Sequence, residues 1–270
     1  MEQEKTGEMS FLEHLEELRW HIIRSCFSLV FFAIFAFLAK RFIFDIVLLG
    51  PKNPEFITNR LLCGIGVCIN QADSFKLIST QMAGQFSSHI MIAMLAGFIM
   101  AFPYIVWEFS RFIIPALYPE EKRYAKGGVF AISILFVLGV MFGYYVIAPL
   151  SVHFLGSYQV SSEVQNTINL TSYFQTVASV TLAAGILFEL PVLILFLTKI
   201  GLVSPDDLAK YRKHAFVIAL CVAAIITPPD IFSQLLVTLP IMILYELSIW
   251  ISKKTAKEEE EKTNALAKIN

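Results

Sequence analysis

The stretch at residues 185–196, GILFELPVLILF, is apolar throughout except for Glu189, which lies two residues before Pro191. An ionisable group at bilayer depth is unfavourable and so marks a candidate functional site. The other reading is a protonated Glu donating a hydrogen bond to a neighbouring helix. Gln234 and Thr181 are candidates to share a polar patch with it, and Glu108 and Glu246 are further acids within or near apolar runs. Near the N-terminus, SFLEHLEELRWHIIR places Glu13, Glu16 and Glu17 close together. Carboxylates gathered in this way suit a basic ligand. Cys63 and Cys68 flank GIGV, and a local disulfide is expected for them on an oxidising side of a membrane. Enzyme chemistry is not indicated. The chain has no His-Glu-x-x-His, no Gly-x-Ser-x-Gly elbow and no P-loop. The five His are scattered, with His14 and His21 expected on a helix surface. No cofactor, no metal site and no nucleic-acid surface is expected.

The elements that position these groups are membrane helices. The chain is 56% hydrophobic with 24 Phe, and charged residues are 16%, against roughly 25% in ordinary soluble domains. Its mean hydropathy is +0.66. A spanning helix needs about 20 mostly apolar residues. Six apolar segments are read at 22–38, 88–109, 127–149, 173–197, 213–227 and 231–251. The first follows a non-basic tail with no small-residue cleavage site, so it is expected to be retained rather than cleaved. The apolar heart of the fifth, 215–226, is 12 residues, about 18 Å of helix against a hydrocarbon core of about 30 Å. It is either a short helix shielded by neighbours or a sign of local bilayer thinning. Thr227, Pro228 and Pro229 break it, and Asp230 is placed to cap the next helix.

Lysine and arginine set the orientation. Arg111, Lys122, Arg123 and Lys126 lie between segments two and three, and Lys199, Lys210, Arg212 and Lys213 between four and five. Residues 150–171 hold none. Both termini are therefore expected in the cytoplasm. The long first loop, 40–86, carries basic residues but is too long for its charges to decide. The organisation expected is a cytoplasmic amphipathic segment at 1–21, a six-helix transmembrane domain at 22–251 and a charged, mobile cytoplasmic tail at 252–270. In the first segment Phe11, Leu15, Leu18 and Ile22 share one helical face after a Ser10/Glu13 capping box. Its acidic side suits a basic ligand, or is simply a solvated helix start favoured by the macrodipole. Ser204 followed by Pro205 reads as another helix start.

Taken in order, HLEELR, FIIPALYPEEKR, LFELPV, GLVSPDDL and TPPDIFSQ resemble the signatures of the TatC family, the core subunit of the twin-arginine protein translocase. The matches run from about residue 11 to 250. The resemblance implies an all-α, six-helix, glove-like bundle with a concave face, in a bacterial cytoplasmic (inner) membrane. It implies a receptor for twin-arginine signal peptides of folded precursor proteins, exported on the proton-motive force. The implied partners are TatA and TatB-type single-span subunits, the lipid bilayer and further copies of the chain. By position, Glu17 and Glu121, with Glu120 beside it, would contact the signal arginines, while Arg19 and Phe112 shape that surface. Glu189, with Gln234 nearby, would contact a partner helix. Pro51, Pro103, Pro115 and Asp230 would shape the scaffold. The sequence departs from the family at Trp107-Glu108-Phe109-Ser110, where Tyr-Gln-x-Trp is usual, and in the Cys63/Cys68 pair. The competing reading is a proton-coupled small-solute transporter using Glu189. The absence of internal repeats disfavours it.

Overall fold

The computed structural model describes residues 11–53, 55–64, 75–114, 119–161, 166–226 and 231–267. Ser10, Cys68, Pro115 and Asp230 lie outside them. The helices are α1 (Phe11–Leu38), α2 (Ile57–Gly64), α3 (Gly84–Ile113), α4 (Pro119–Phe142), α5 (Ala148–Ser157), α6 (Leu170–Leu187), α7 (Leu190–Lys199), α8 (Pro205–Lys210), α9 (Arg212–Ile226) and α10 (Ile231–Ala267). Two short strands, β1 (Lys76–Ile78) and β2 (Thr167–Asn169), pair in parallel with Leu77 opposite Ile168. Among the described residues, four stretches are long and apolar enough to cross a membrane: Leu15–Leu38, Gly84–Ile113, Gly127–Ser157 and Leu170–Lys199. At 15 residues α9 is too short for that standard, about 22 Å against about 30 Å. The amphipathic start and the first apolar run form one continuous helix, α1. The segment expected as a mobile tail continues α10 to Ala267; its Ala, Glu and Lys are strong helix formers.

Prolines shape the membrane helices, and two of the carbonyls they orphan find side-chain donors. A proline lacks the N–H that would bond the carbonyl four residues back. Pro149 leaves the Tyr145 carbonyl free; the helix widens into a π turn at Gly143–Ile147, and the Thr58 hydroxyl donates to that carbonyl. Pro51, buried, begins a 3₁₀ turn at Gly50–Lys52. The Val47 carbonyl four residues before it accepts from the Tyr144 hydroxyl at 2.7 Å, and the next carbonyl, Leu48, from Tyr173 at 2.9 Å. Pro191 divides the fourth span: α6 stops at Leu187 and α7 starts at Leu190. Pro103 and Pro240 lie inside continuous helices.

The chain forms two compact units, Met1–Leu38 with Ala93–Ser133, and Ala39–Ile92 with Ile134–Asn270. In the first, α1 and α3 approach at Gly97, where an added Cβ would meet the Ala33 backbone at 2.6 Å. In the second, α4 and the π turn that follows it lie against α6 through a Gly-x-x-x-Gly pair. A Cβ on Gly139 would come within 2.6 Å of the Ala184 carbonyl oxygen, and one on Gly143 within 2.8 Å of the Ala184 Cβ. Lipid gives little hydrophobic drive between helices, so close backbone approach at small residues supplies the packing. A core of Ile147, Val180, Ala184, Ala219, Ala223, Val237 and Ile241 joins α6, α9 and α10. The Thr198 and Ser252 hydroxyls bond at 2.9 Å between α7 and α10.

Candidate functional site

The first unit gathers charge at one end of α1 and α3. Glu108 on α3 is fully buried. Its Oε1 lies 3.0 Å from His21 Nδ1 and accepts from Arg24 Nη1 at 3.1 Å. Arg111 Nη1 stands 3.6 Å from Oε2, which has no hydrogen-bond partner among the described residues. A buried carboxylate persists only when it is paired, and here α1 supplies two of the partners. The periodicity explains the meeting. His21 and Arg24 are three residues apart on one face of α1, and Glu108 and Arg111 are three apart on α3. His21, expected on a helix surface, is instead buried at 5% exposure. Burial follows from its bond to Glu108 and from the Phe112 ring 5.9 Å away.

The signal-contact residues inferred from the resemblance fall in the same unit. Glu17 is half-buried on α1, and Phe112 is half-buried near the end of α3. Arg19 pairs with the exposed Glu16 at 3.4 Å and sits over the Trp20 ring at 5.7 Å. Glu120 and Glu121 follow Pro119 in the first turn of α4, where proline suits the first position and acids suit the macrodipole. Their side chains lie outside the described ones.

Glu189 occupies the break in the fourth span. Its backbone is the residue before α7, with φ −78° and ψ −7°. Its carbonyl accepts from Val192 and Leu193. The side chain is half-buried, and Oε1 has no hydrogen-bond partner among the described residues. Gln234 donates instead to the Leu220 carbonyl at 3.0 Å, and Thr181 to the Val177 carbonyl at 2.7 Å. Neither is bonded to Glu189, so the polar patch considered from sequence is not formed by direct contacts. Gly185, one turn earlier, holds Phe136 and Val140 against α6, where an added Cβ would meet them at 2.9 and 2.8 Å. Glu246 pairs with Arg212 at 2.8 Å across α9 and α10, both half exposed. Ser204 caps α8, accepting from Asp207 N–H at 3.1 Å. Cys63 is disulfide-bonded, while Cys26 and Cys221 are free. Among the described residues, no group of three His, Cys, Asp or Glu could hold a metal ion.

The buried Glu108 cluster is the part of the site that motif reading overlooked. Its signal was present in the two i,i+3 pairs, His21/Arg24 and Glu108/Arg111, each at the charged end of an apolar run.

Comparison with known proteins follows this geometry. The family described as "Sec-independent protein translocase protein (TatC)" matches residues 13–240. A relative from Blattabacterium sp. subsp. Periplaneta americana, described as Sec-independent protein translocase protein TatC, is 41% identical over 267 residues, covering 96% of this chain and 100% of its own. The TatCy protein of Bacillus subtilis is 31% identical, covering 98% of this chain and 97% of its own. A crystal structure described as twin arginine translocase receptor TatC superposes with a TM-score of 0.71 at 32% identity, over 90% of this chain and 99% of that one. The chain therefore belongs to the TatC family of membrane proteins, the receptor component of the Sec-independent protein translocase.

Proposed function

We propose that this chain binds twin-arginine signal peptides at its cytoplasmic face and recruits TatA and TatB-type single-span subunits to export folded proteins on the proton-motive force. In this reading it sits in a bacterial inner membrane with six passes and both termini in the cytoplasm. Glu17 and Glu121, with Glu120 adjacent, accept the two guanidiniums, one or both bidentately. Arg19 and Phe112 border that surface. The observation that carries the reading is the buried tie between α1 and α3, His21 to Glu108 at 3.0 Å. It fixes the helix bearing Glu17 against the helix bearing Phe112, in the compact unit that also holds the acidic first turn of α4. Glu189 serves as a polar handle for a partner's transmembrane helix, supported by its unpartnered buried Oε1 at a helix break. In this reading the disulfide partner of Cys63 is Cys68, which lies outside the described residues.

The test is equilibrium binding of a twin-Arg peptide and its Lys-Lys form to purified protein. Glu17→Ala and Glu121→Ala should each weaken the Arg-Arg peptide more than the Lys-Lys form. Equal binding of both peptides by wild type and both variants would remove the assignment.

A further inference from the structure

Beside the Glu108 cluster, the first unit carries a groove of about 550 Å³ that no part of the proposed receptor function uses. Trp20, Ile23, Phe27, Phe31 and Phe32 of α1 line it with Tyr104 of α3, and Arg24 stands among them. Its walls face outward: Phe27 is 74% and Phe31 59% exposed. Charge lies at one end only. From Ser25 to the end of α1, and from the start of α3 to Trp107, there is no Asp, Glu, Lys or Arg. Trp20 to Phe32 spans about 18 Å of helix, close to the roughly 15 Å depth of one leaflet's hydrocarbon.

The charged end is under-neutralised. Among the described residues, Arg24 and Arg111 share the one carboxylate of Glu108, so the excess positive charge sits locally at this pair; Arg19 is paired with Glu16, and Glu17 lies two turns further toward the start of α1. Both guanidiniums are about half exposed, at 50% and 49%. Arg24 uses Nη1 on Glu108 while its side chain lines the groove. Arg111 stacks on Trp107 at 4.9 Å, and Trp107 packs on Tyr104 at 5.6 Å, at the groove's edge. Trp and Tyr gather at the headgroup level of a bilayer, so the aromatic ladder marks where a headgroup would lie.

An apolar slot one leaflet deep, with fixed positive charge and aromatic rings at one end, complements a single class of molecule. We propose that this groove is a binding site for an anionic phospholipid, with the phosphate on Arg24 and Arg111 and an acyl chain along Phe27 and Phe31. Arginine presents several donors to phosphate in a fixed fork. Headgroup charge, rather than the apolar slot, supplies the preference over a zwitterionic lipid.

The experiment uses the full chain in detergent, supplied with phosphatidylglycerol or phosphatidylcholine, and counts retained lipid by native mass spectrometry. Wild type should retain phosphatidylglycerol preferentially. Arg24→Gln should lower that preference about five-fold, the weight of one surface arginine toward anionic lipid. Arg212→Gln, which removes an equally exposed arginine on α9, should not. Glu108→Gln is the second variant: it strengthens the positive field, so the folded fraction should retain more phosphatidylglycerol, which a merely structural role would not produce. Equal retention of the two lipids by wild type, or equal effects of Arg24→Gln and Arg212→Gln, overturns the site. Displacement of the lipid by free glycerol phosphate or by an acidic peptide at equal concentration overturns it as well, in favour of that occupant.

Discussion

Replacing Glu108 should loosen α1 from α3, and the structure sets the scale. Glu108→Ala removes the acceptor of His21 and of Arg24 and the charge facing Arg111. Breaking a fully buried ion pair costs about 3–5 kcal/mol, but both arginines here are half exposed and water can rehydrate them. The penalty falls chiefly on His21, whose side chain is 7% exposed and would keep an unsatisfied ring nitrogen, about 1–3 kcal/mol. The cavity left by a fully buried side chain adds to that. We expect about 3 kcal/mol for Glu108→Ala. Glu108→Gln keeps the volume and one acceptor oxygen, so about half that loss is expected. Thermal or denaturant unfolding of the purified chain should rank wild type above Gln above Ala. A double-mutant cycle with His21→Ala should give a coupling of about 0.5–3 kcal/mol. An Ala variant within about 0.5 kcal/mol of wild type, or a coupling of zero, would refute the claim that Glu108 anchors α1.

Gly139→Ala should destabilise by about 1–3 kcal/mol, because its Cβ would meet the Ala184 backbone carbonyl at 2.6 Å. Gly127→Ala is the control: nothing lies within 4 Å of its added Cβ, so the same unfolding assay should show no loss. Thr58→Val should cost about 1–3 kcal/mol by leaving the Tyr145 carbonyl with neither its helical donor nor its hydroxyl donor. An unchanged midpoint would show that another donor satisfies that carbonyl. At the break in the fourth span, Glu189→Ala should weaken copurification of a single-span partner more than Glu189→Gln does. Wild-type partner recovery and export in both variants would contradict the docking role.

Apolar runs and proline positions made much of the architecture readable in advance. Segments near 88–109, 127–149 and 173–197 lie within the spans found, but the break at Pro191 that carries Glu189 interrupts a segment read as continuous. Capping of α8 by Ser204 followed from local chemistry alone. What escaped was long-range pairing. His21 has the spacing of a surface residue on α1, and only its meeting with Glu108, 87 positions away, buries it. The donors that answer Pro51 and Pro149, Tyr144 and Thr58, come from distant turns that no local pattern connects. Gly139 and Gly143 carry a Gly-x-x-x-Gly signal within an apolar run that went unread, and nothing local points to their target, Ala184. Gln234 and Glu189 share a polar character in otherwise apolar surroundings, yet Gln234 spends its donor on a backbone carbonyl of α9. Type alone does not assign partners.

Reception of the signal peptide at the surface built from α1, α3 and the first turn of α4 is the central claim. A photo-crosslinker placed at Phe112 leaves Glu17, Glu120 and Glu121 intact and reports on contact directly. In membranes containing the partner subunits, it should form an adduct with a twin-Arg precursor that disappears when the arginine pair is changed to Lys-Lys. An adduct of equal yield with both precursors, or none with either while export proceeds, would contradict the account.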